Sequence, residues 1–268
     1  MKKLFISADI EGTCGIAAWE ETEANGGRNY GYFSQRMTAE VSAAVEGAEA
    51  AGYISTVKDA HDSARNIDPM GLPRTATLIR GWARDCWCMM GGLDREDFDA
   101  VAFTGYHSEA VNGGNPLSHT MTRGVQRVSL NGLPCPEFLV NAYMAAYRGL
   151  PIVFLAGDEA LCDFAHRLIP GITTVAAKSG HGSAVISRHP EVVCDEISKG
   201  IRDALSREDL TDCYLPLPDR FTMIVEYKDW NTAHGYSFYP GAVPVDAKTV
   251  KFESDDYYEV MRFMHFCV

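Results

Sequence analysis

The sequence predicts an α/β fold in which a mostly parallel sheet is flanked by helices in three layers, with a smaller α+β domain beside it. Short β-rich apolar segments alternate with helical segments through roughly the first two thirds of the chain, which is typical of βαβ units. The predicted strands are apolar at most positions, as expected of strands buried on both faces of a parallel sheet. Beyond Pro216 and Pro218 the predicted strands follow one another without a convincing helix, which indicates a second, smaller domain.

The large sheet is predicted from five strand segments and the helices between them. The first segment begins at the N-terminus, and the others are residues 54–58, 99–104, 151–156 and 173–177. A Gly/Asn-rich loop at residues 25–27 precedes a helix over 34–51, in which apolar residues recur every three or four positions until Gly52. A second helix lies between Asp158, a predicted N-cap, and Pro170, its predicted stop.

The smaller domain is predicted from a hairpin and two later strands. Residues 127–130 lead into Asn131-Gly132, a pair typical of tight hairpin turns, and residues 221–227 and 249–252 are further strand segments. A helix over 191–205 could pack on either part of the chain. We therefore predict an α/β domain of residues 1–118 plus 138–207 and a smaller α+β domain of residues 119–137 plus 208–268.

Composition and charge restrict the class of protein. The chain has 268 residues, of which 46% are hydrophobic and 22% are charged, enough to bury a core. Its formal net charge of -12 repels phosphate backbones and anionic membranes, so we expect no nucleic-acid or membrane partner. No apolar run approaches a bilayer span, and the first residues lack the pattern of a signal peptide. The eight cysteines form no C-x-x-C pair, so we predict a cytoplasmic protein with reduced thiols.

An acidic pair follows the first predicted strand. Asp9 and Glu11 are separated by Ile10 and followed by Gly12, so both carboxylates leave the same face of the extended chain. Two carboxylates this close repel each other, which raises one pKa unless a divalent cation binds between them. The alternative is a solvated acidic turn at the end of a strand.

Two histidines follow the next strands at matching positions. His61 comes just past the second predicted strand and His107 just past the third. Because the carboxyl ends of parallel strands meet at one sheet edge, we expect Asp9, Glu11, His61 and His107 to converge there. Carboxylate and imidazole ligands without thiolate suit Zn, Mn or Co, and a bridging carboxylate suits a pair of ions. Each histidine taken alone could instead be an ordinary loop residue.

Six motifs occur in the order seen in one family of enzymes. They are Ser7-x-Asp9-x-Glu11-Gly12, Asp59-x-His61, Gly105-Tyr106-His107, Ser118-His119-Thr120-Met121, Glu137 within Glu-Phe-Leu-Val-Asn-Ala-Tyr, and Ala156-Gly157-Asp158. In these motifs the chain resembles the D-aminopeptidase family of dinuclear zinc metallopeptidases, over most of its length and most closely in residues 1–158. H-E-x-x-H and G-x-S-x-G are absent, which excludes the common zincin and α/β-hydrolase patterns.

The resemblance implies a role for each motif residue. Asp9 would bridge two zinc ions, and the remaining ligands would be Glu11 and His61 at one ion and His107 and Glu137 at the other. His119 would be the catalytic histidine. The resemblance also implies two divalent metal ions per subunit, most simply Zn²⁺, and a homo-oligomer, a decamer, that encloses the sites. We expect no other cofactor.

From the residues alone, two of these assignments stay open. Glu137 follows Pro136 at a predicted helix start, where an acidic residue in the first turn is ordinary. His119 follows a Gly/Asn/Pro-rich loop at residues 112–116. Such a loop could hold the imidazole over a pocket, or the ring could simply be bonded to nearby backbone.

Three further features, at position 59, at position 178 and at residues 180–184, lie outside the proposed ligand set. Asp59 could orient the His61 ring as a supporting carboxylate, or it could be a solvated residue at the end of a strand. Residues 180–184 contain two glycines but have no phosphate-binding fingerprint, so we predict a loop there. Lys178, just before that loop, matches a lysine of the family.

The predicted function is hydrolysis of the N-terminal residue, in this family a D-amino acid, from short peptides or amino-acyl amides at a dinuclear zinc site. Two alternatives remain. A dinuclear amidase or esterase would keep the metals and act on a non-peptide substrate. A non-catalytic α/β binding protein would use the same acids and histidines to satisfy local structure.

Overall fold

A computed structural model describes residues 1–25 and 29–268. Within those residues the chain forms two sheets and six α-helices, none of them long and apolar enough to cross a membrane. The strands are β1 (Lys2–Ala8), β2 (Tyr53–Asp59), β3 (Thr77–Ile79), β4 (Ala100–Tyr106), β5 (Val125–Leu130), β6 (Leu133–Pro134), β7 (Ile152–Asp158), β8 (Thr173–His181), β9 (Ala184–Ser187), β10 (Phe221–Tyr227), β11 (Val243–Pro244) and β12 (Thr249–Ser254). The helices are α1 (Tyr30–Ala50), α2 (Glu137–Tyr147), α3 (Glu159–Leu168), α4 (Pro190–Leu205), α5 (Trp230–Tyr236) and α6 (Tyr257–Cys267).

The large sheet places the first strand at its centre. Its order is β3-β2-β1-β4-β7-β8-β9, and neighbouring strands are parallel except β8 and β9. Ala8, the last residue of β1, pairs with Asp59 of β2 on one side and with Thr104 of β4 on the other. The carboxyl ends of these three strands therefore meet at one edge of the sheet, as predicted.

Helices cover both faces of this sheet. Successive side chains of β1 point to opposite faces, so Leu4 and Ile6 pack in an apolar cluster with α1 and α4. Phe5 packs on the other face, in a cluster that includes α2, α3 and α6. The three-layer, mostly parallel α/β arrangement is thus confirmed, and its helices form because their apolar residues recur at helical spacing toward the sheet.

The second sheet is smaller and antiparallel, with the order β11-β12-β10-β5-β6. The predicted hairpin is its β5–β6 corner, where Asn131 and Gly132 have positive φ angles of 51° and 81°. This sheet shares an apolar cluster with one face of the large sheet. The division into domains at residues 118, 137 and 207 stays a prediction.

Three local predictions need correction or fall outside the description. A short helix, α5, separates β10 from β12; it was not predicted because Ala233 is its only buried residue and no apolar stripe marks it. Residues 180–184 are not a loop, since they close a β8–β9 hairpin around Gly182. Of the predicted loop at residues 25–27, positions 26 and 27 lie outside the described residues.

A buried acid in α1 makes the fold sensitive to pH. Glu40 is 3% exposed and accepts a hydrogen bond from the Cys14 backbone N–H at 2.9 Å. Its other carboxylate oxygen has no hydrogen-bond partner among the described residues. Burial raises the pKa of Glu40 from its ordinary value of 4.5 to about 7, although Lys178 and Arg36 oppose the rise. The unfolded chain therefore loses this proton at lower pH than the folded chain does.

We expect Glu40→Gln to remove this pH dependence. For the wild type, this carboxyl makes stability fall as the pH rises from about 4.5 to about 7, by roughly 3 kcal/mol in total. The free energy of unfolding of Glu40→Gln, relative to wild type, should therefore be higher at pH 8 than at pH 5 by about that amount. Denaturant titrations at both pH values measure this difference.

The matched control is Glu46→Gln, a substitution of an exposed acid on the same helix. Its difference from wild type should be the same at pH 5 and pH 8. Parallel pH curves for Glu40→Gln and wild type would contradict the assignment.

Candidate metal centre

Close backbone contacts bring the ends of β1 and β4 together. The Asp9 N–H donates to Thr104 O at 2.8 Å and the Gly12 N–H donates to Gly105 O at 2.7 Å. A Cβ atom at Gly12 would lie 1.8 Å from Tyr106 O, and one at Gly105, which has a φ of +69°, would lie 2.0 Å from Asp9 O. Only glycine fits both positions. The segment that contains Asp9 and Glu11 therefore lies directly against β4, the strand that leads to His107.

Carboxylate and imidazole groups from four parts of the chain converge at this edge. Asp9, Glu11 and His61 form one group, and Asp9, His107 and Glu137 form another; within each, the ligand atoms lie within 4.8 Å of one another. All five residues are buried, none more than 7% exposed. These are the two groups that the resemblance implies, with Asp9 common to both. The assignment of each residue to an ion stays a prediction.

Asp9 directs its two carboxylate oxygens toward different histidines. Its Oδ1 lies 3.3 Å from His61 Nδ1, which is also 3.1 Å from Glu11 Oε2. Its Oδ2 lies 3.6 Å from His107 Nε2, which is equally far from Glu137 Oε1. This is the geometry of a carboxylate placed between two binding positions.

Backbone carbonyls fix the orientation of each imidazole. His61 Nε2 lies 3.0 Å from Thr22 O, His107 Nδ1 lies 2.9 Å from Ser108 O, and His119 Nδ1 lies 3.0 Å from Leu117 O. A carbonyl oxygen only accepts hydrogen bonds, so each of these nitrogens carries its proton. The opposite nitrogen of each ring faces the carboxylates and is free for a cation. Metal-binding histidines are commonly oriented in this way.

Without cations, the charges of this cluster compete strongly. Burial and the charge of Glu11 raise the pKa of Asp9 well above its usual range. Burial disfavours the imidazolium of His107, but Glu137 and the other carboxylates outweigh it and raise the pKa of His107 to about 10. The carboxylates likewise outweigh burial at His61 and raise its pKa well above the ordinary value. The cluster therefore attracts positive charge.

The donor set fits divalent metal ions. Among the described residues, Asp9 Oδ2, Glu11 Oε2 and His107 Nε2 are buried without a hydrogen-bond partner, and such orphaned atoms are costly unless an ion binds them. Carboxylate oxygens and imidazole nitrogens without thiolate suit zinc and neighbouring metals of the first row. Asp9, Glu11, His61, His107 and Glu137 would hold two ions.

Three polar residues hold the backbone near these groups. Asn115 Nδ2 donates to Glu11 O at 3.0 Å, and Lys178 Nζ donates to Glu11 O and, at 2.6 Å, to Ile16 O. Asp158, confirmed as the cap of α3, also accepts from the Ser108 N–H at 2.7 Å. Asn115 gave no sequence signal beyond its place in a loop before proline, and its anchoring role was not predicted.

Asp59 neither contacts the His61 ring nor lies in solvent, so both predictions for it were wrong. It is fully buried, so it is not solvated, and its carboxylate accepts from the Asn66 N–H, from Asn66 Nδ2 and from the Ile67 N–H. Asn66 Nδ2 also donates to His61 O at 2.7 Å. Asp59 therefore positions His61 through the loop that follows it, and not through the imidazole ring.

A cavity of about 480 Å³ opens over the cluster and includes His119 in its lining. The His119 ring stacks on His107 with centroids 4.4 Å apart, and the edge of Trp19 contacts it at 5.1 Å between centroids. Its Nε2 lies 3.5 Å from Glu137 Oε1. Burial and the proximity of His107 lower the pKa of His119. The sequence left two positions open for His119, over a pocket or bonded to nearby backbone. The ring is bonded to backbone and also borders a cavity, so both descriptions apply.

A buried carboxylate and imidazole centre at the strand ends of a three-layer α/β fold, open to a cavity, is the arrangement of a metal-dependent hydrolase. Comparison with known proteins identifies the family. The chain belongs to the D-aminopeptidase family of peptidases, whose model matches residues 1–266.

A sequence match and a structural match each cover nearly the whole chain. A D-aminopeptidase from Bacillus subtilis (strain 168) is 31% identical over 266 residues, which are 98% of this chain and 95% of that protein. A solved structure is described as the Zn-dependent D-aminopeptidase DppA from Bacillus subtilis, a self-compartmentalizing protease. It is 30% identical, has a TM-score of 0.91, and matches 99% of this chain and 96% of its own. The family membership expected from the motifs is confirmed.

Metal content should respond differently to loss of the shared and unshared groups. Asp9→Ala should abolish loading of both ions, because both groups lose a ligand and each ion then faces an incomplete site. His61→Ala should lower the count from two ions per chain to about one. Elemental analysis of the purified, zinc-equilibrated proteins measures both values.

The matched control is His166→Ala, which removes an exposed imidazole in the last turn of α3 that is bonded to Thr174 and belongs to neither group. It should retain two ions. Two ions in Asp9→Ala would show that Asp9 is not the shared ligand.

Proposed function

We propose that the protein is a metal-dependent aminopeptidase that releases the N-terminal residue, a D-amino acid, from short peptides or amino-acyl amides. The observation that carries the proposal is the pair of buried carboxylate and imidazole groups that share Asp9, in a chain of the D-aminopeptidase family. The zinc dependence of the solved relative supports zinc as the metal. Its named activity supports the D configuration.

The proposed ligands follow the two groups of side chains. Glu11 and His61 would hold one ion, His107 and Glu137 would hold the other, and Asp9 would be the ligand common to both. When bound, two such ions polarise the scissile carbonyl and lower the pKa of a nearby water. The protein contributes the fixed spacing of the ligands and a largely buried, water-poor setting in which charges interact strongly.

His119 is the proposed catalytic residue. Its Nδ1–H donates to Leu117 O, so its Nε2 is the free nitrogen, and this atom lies on the cavity side near Glu137. The edge contact with Trp19 limits rotation of the ring. From this position Nε2 takes a proton from the attacking water and passes it to the leaving amine, or it attacks the carbonyl carbon itself. In the second case the C–N bond breaks, the amine leaves with a proton, and water then hydrolyses the acyl-histidine.

The cavity supports removal of a terminal residue. Its lining continues from the metal centre to buried residues of α2 and α6: Val140, Asn141, Met144, Met261 and Met264. These buried side chains form a wall on one side. A cavity closed on one side accepts the end of a chain and excludes an interior peptide bond, because the polypeptide cannot continue through the wall.

We also propose a homo-oligomeric assembly, a decamer, located in the cytoplasm. The description of the solved relative as self-compartmentalizing supports an assembly of several copies. The free cysteines support the location.

Activity should depend on divalent metal and on the configuration of the substrate. We expect hydrolysis of D-alaninamide and D-alanyl dipeptides to vanish after exhaustive chelation and to return with zinc or manganese. Rates on the L-isomers should be far lower. A coupled assay for the released amino acid measures these rates.

The same assay separates the alternative functions. Faster turnover of simple esters or non-peptide amides than of any D-aminoacyl compound would favour the dinuclear amidase or esterase. Purified protein with less than one equivalent of metal and no hydrolysis would favour the non-catalytic binding protein.

His119→Ala should lose turnover and keep its metals. Removing a positioned proton-transfer or nucleophilic group lowers kcat by on the order of a thousandfold, whereas the five proposed ligands remain. Steady-state kinetics and elemental analysis of the same preparation test both parts. His181→Ala, an exposed histidine on the β8–β9 hairpin, is the matched control and should keep the wild-type rate. A wild-type rate for His119→Ala would rule out its catalytic role.

A further inference from the structure

We infer that the closed end of the cavity selects substrates whose N-terminal side chain is apolar and longer than that of alanine. This inference rests on the proposed function and names the substrate class of the same site. Four buried methionines, which we call the methionine wall, form this end of the cavity: Met89, Met144, Met261 and Met264.

One face of α2 connects the metal centre to the methionine wall. Glu137, Val140, Asn141 and Met144 all line the cavity, and their spacing of three, four and seven residues places them on one side of the helix. With a rise of 1.5 Å per residue, Met144 lies about 10 Å along the helix axis from Glu137. The cavity thus extends beyond the reacting groups by more than the length of an alanine side chain.

A face of α6 closes the opposite side. Met261, Met264, His265 and Val268 line the cavity with the same helical spacing. Met89, which precedes β4, completes the wall, and its sulfur accepts a hydrogen bond from Asn141 Nδ2 at 3.3 Å. None of the four methionines is more than 5% exposed, whereas His265 is exposed and Val268 is half-buried at the edge of this face.

The other end of the cavity is polar and open. Arg123 and Glu23 lie there as an ion pair 3.3 Å apart, with 57% and 45% of their side chains exposed. The Arg123 guanidinium also stacks over Trp19. The leaving part of a peptide, which is polar and variable in length, fits the open end. The side chain of the N-terminal residue then occupies the closed, apolar end.

The chemistry of the wall defines the class of side chain. Methionine is unbranched and polarizable, so it adapts to apolar groups of different shape and makes favourable contacts with aromatic rings. No Asp, Glu, Lys or Arg among the described residues lines the wall itself. A charged side chain placed there would lose its hydration without a partner. The favoured substrates are therefore D-norleucine-, D-methionine- and D-phenylalanine-like amides or peptides.

The experiment compares three amides with the wild-type, zinc-loaded enzyme. D-norleucinamide adds three methylenes to D-alaninamide, which predicts a gain in kcat/KM of roughly 10-fold to 50-fold. D-lysinamide, which extends the same chain with an ammonium group, is the matched control and should be at least about tenfold poorer than D-norleucinamide. Calorimetric binding of the products D-norleucine and D-alanine gives a second measurement that does not depend on turnover and should show the same order.

Filling the wall should reduce or abolish the preference. Met144→Trp should lower the ratio of kcat/KM for D-norleucinamide to kcat/KM for D-alaninamide by about tenfold or more, because the larger ring takes the space of the longer side chain. Met70→Trp, a substitution at a methionine that is 90% exposed, should change neither kcat/KM. If Met144→Trp does not fold, the amide series and the product binding of the wild type decide the question.

Failure of this inference differs from failure of the proposed function. Hydrolysis of D-alaninamide as fast as D-norleucinamide, with equal product binding, would overturn the methionine wall as a selector and leave the aminopeptidase intact. Metal-loaded protein that hydrolyses none of the three amides would overturn both.

Discussion

The mutual repulsion of buried carboxylates is the constraint on which the rest of this structure depends. Asp9 lies in one group with Glu11 and in another with Glu137, in surroundings that water hardly reaches. Burying an ionised carboxylate without a partner costs several kcal/mol. The surrounding imidazoles cannot relieve this cost as neutral rings, because their protonated nitrogens donate to backbone carbonyls and their free nitrogens face the acids. Only protons or cations can balance the site, and its unpartnered oxygen and nitrogen atoms favour cations.

The fold keeps those atoms free by anchoring backbone instead of side chains. Asn115 and Lys178 both donate to the carbonyl oxygen of Glu11, not to its carboxylate. Asp158 accepts from the Ser108 N–H beside His107, and Asp59 acts through Asn66 on the loop after His61. The main chain beside Glu11, His61 and His107 is therefore held in place, while one ring nitrogen of each histidine and one oxygen each of Asp9 and Glu137 are also fixed by backbone groups. Anchoring through the backbone fixes the geometry of the site and leaves ligand atoms available for a cation.

The sequence predicted the part of the site that depends on sheet topology and not the part that depends on distant packing. Asp9, His61 and His107 follow three strands that a parallel sheet must bring to one edge, so their convergence could be inferred from periodicity alone. Glu137 could not be placed from the residues alone, because α2 reaches the site only after the chain has passed through the small sheet. Short or exposed elements such as α5 leave no periodic signal. The methionine wall was equally hidden, since Met89 and α6 are far apart in sequence.

A single rigid helix couples the metal centre to the proposed selection of substrate. Glu137 begins α2 and Met144 lies two turns later on the same face, and ten of the eleven residues of this helix are buried. A helix packed on all sides cannot move one of these residues without the other. A side chain that fills the wall is therefore held at a fixed distance from the ion that Glu137 is proposed to bind. Recognition of the side chain then contributes directly to placing the scissile bond, since small errors in position are costly to catalysis. A shorter side chain would leave the helix and the ligands unchanged. It would not reach the methionine wall, so it would not help to position the scissile bond.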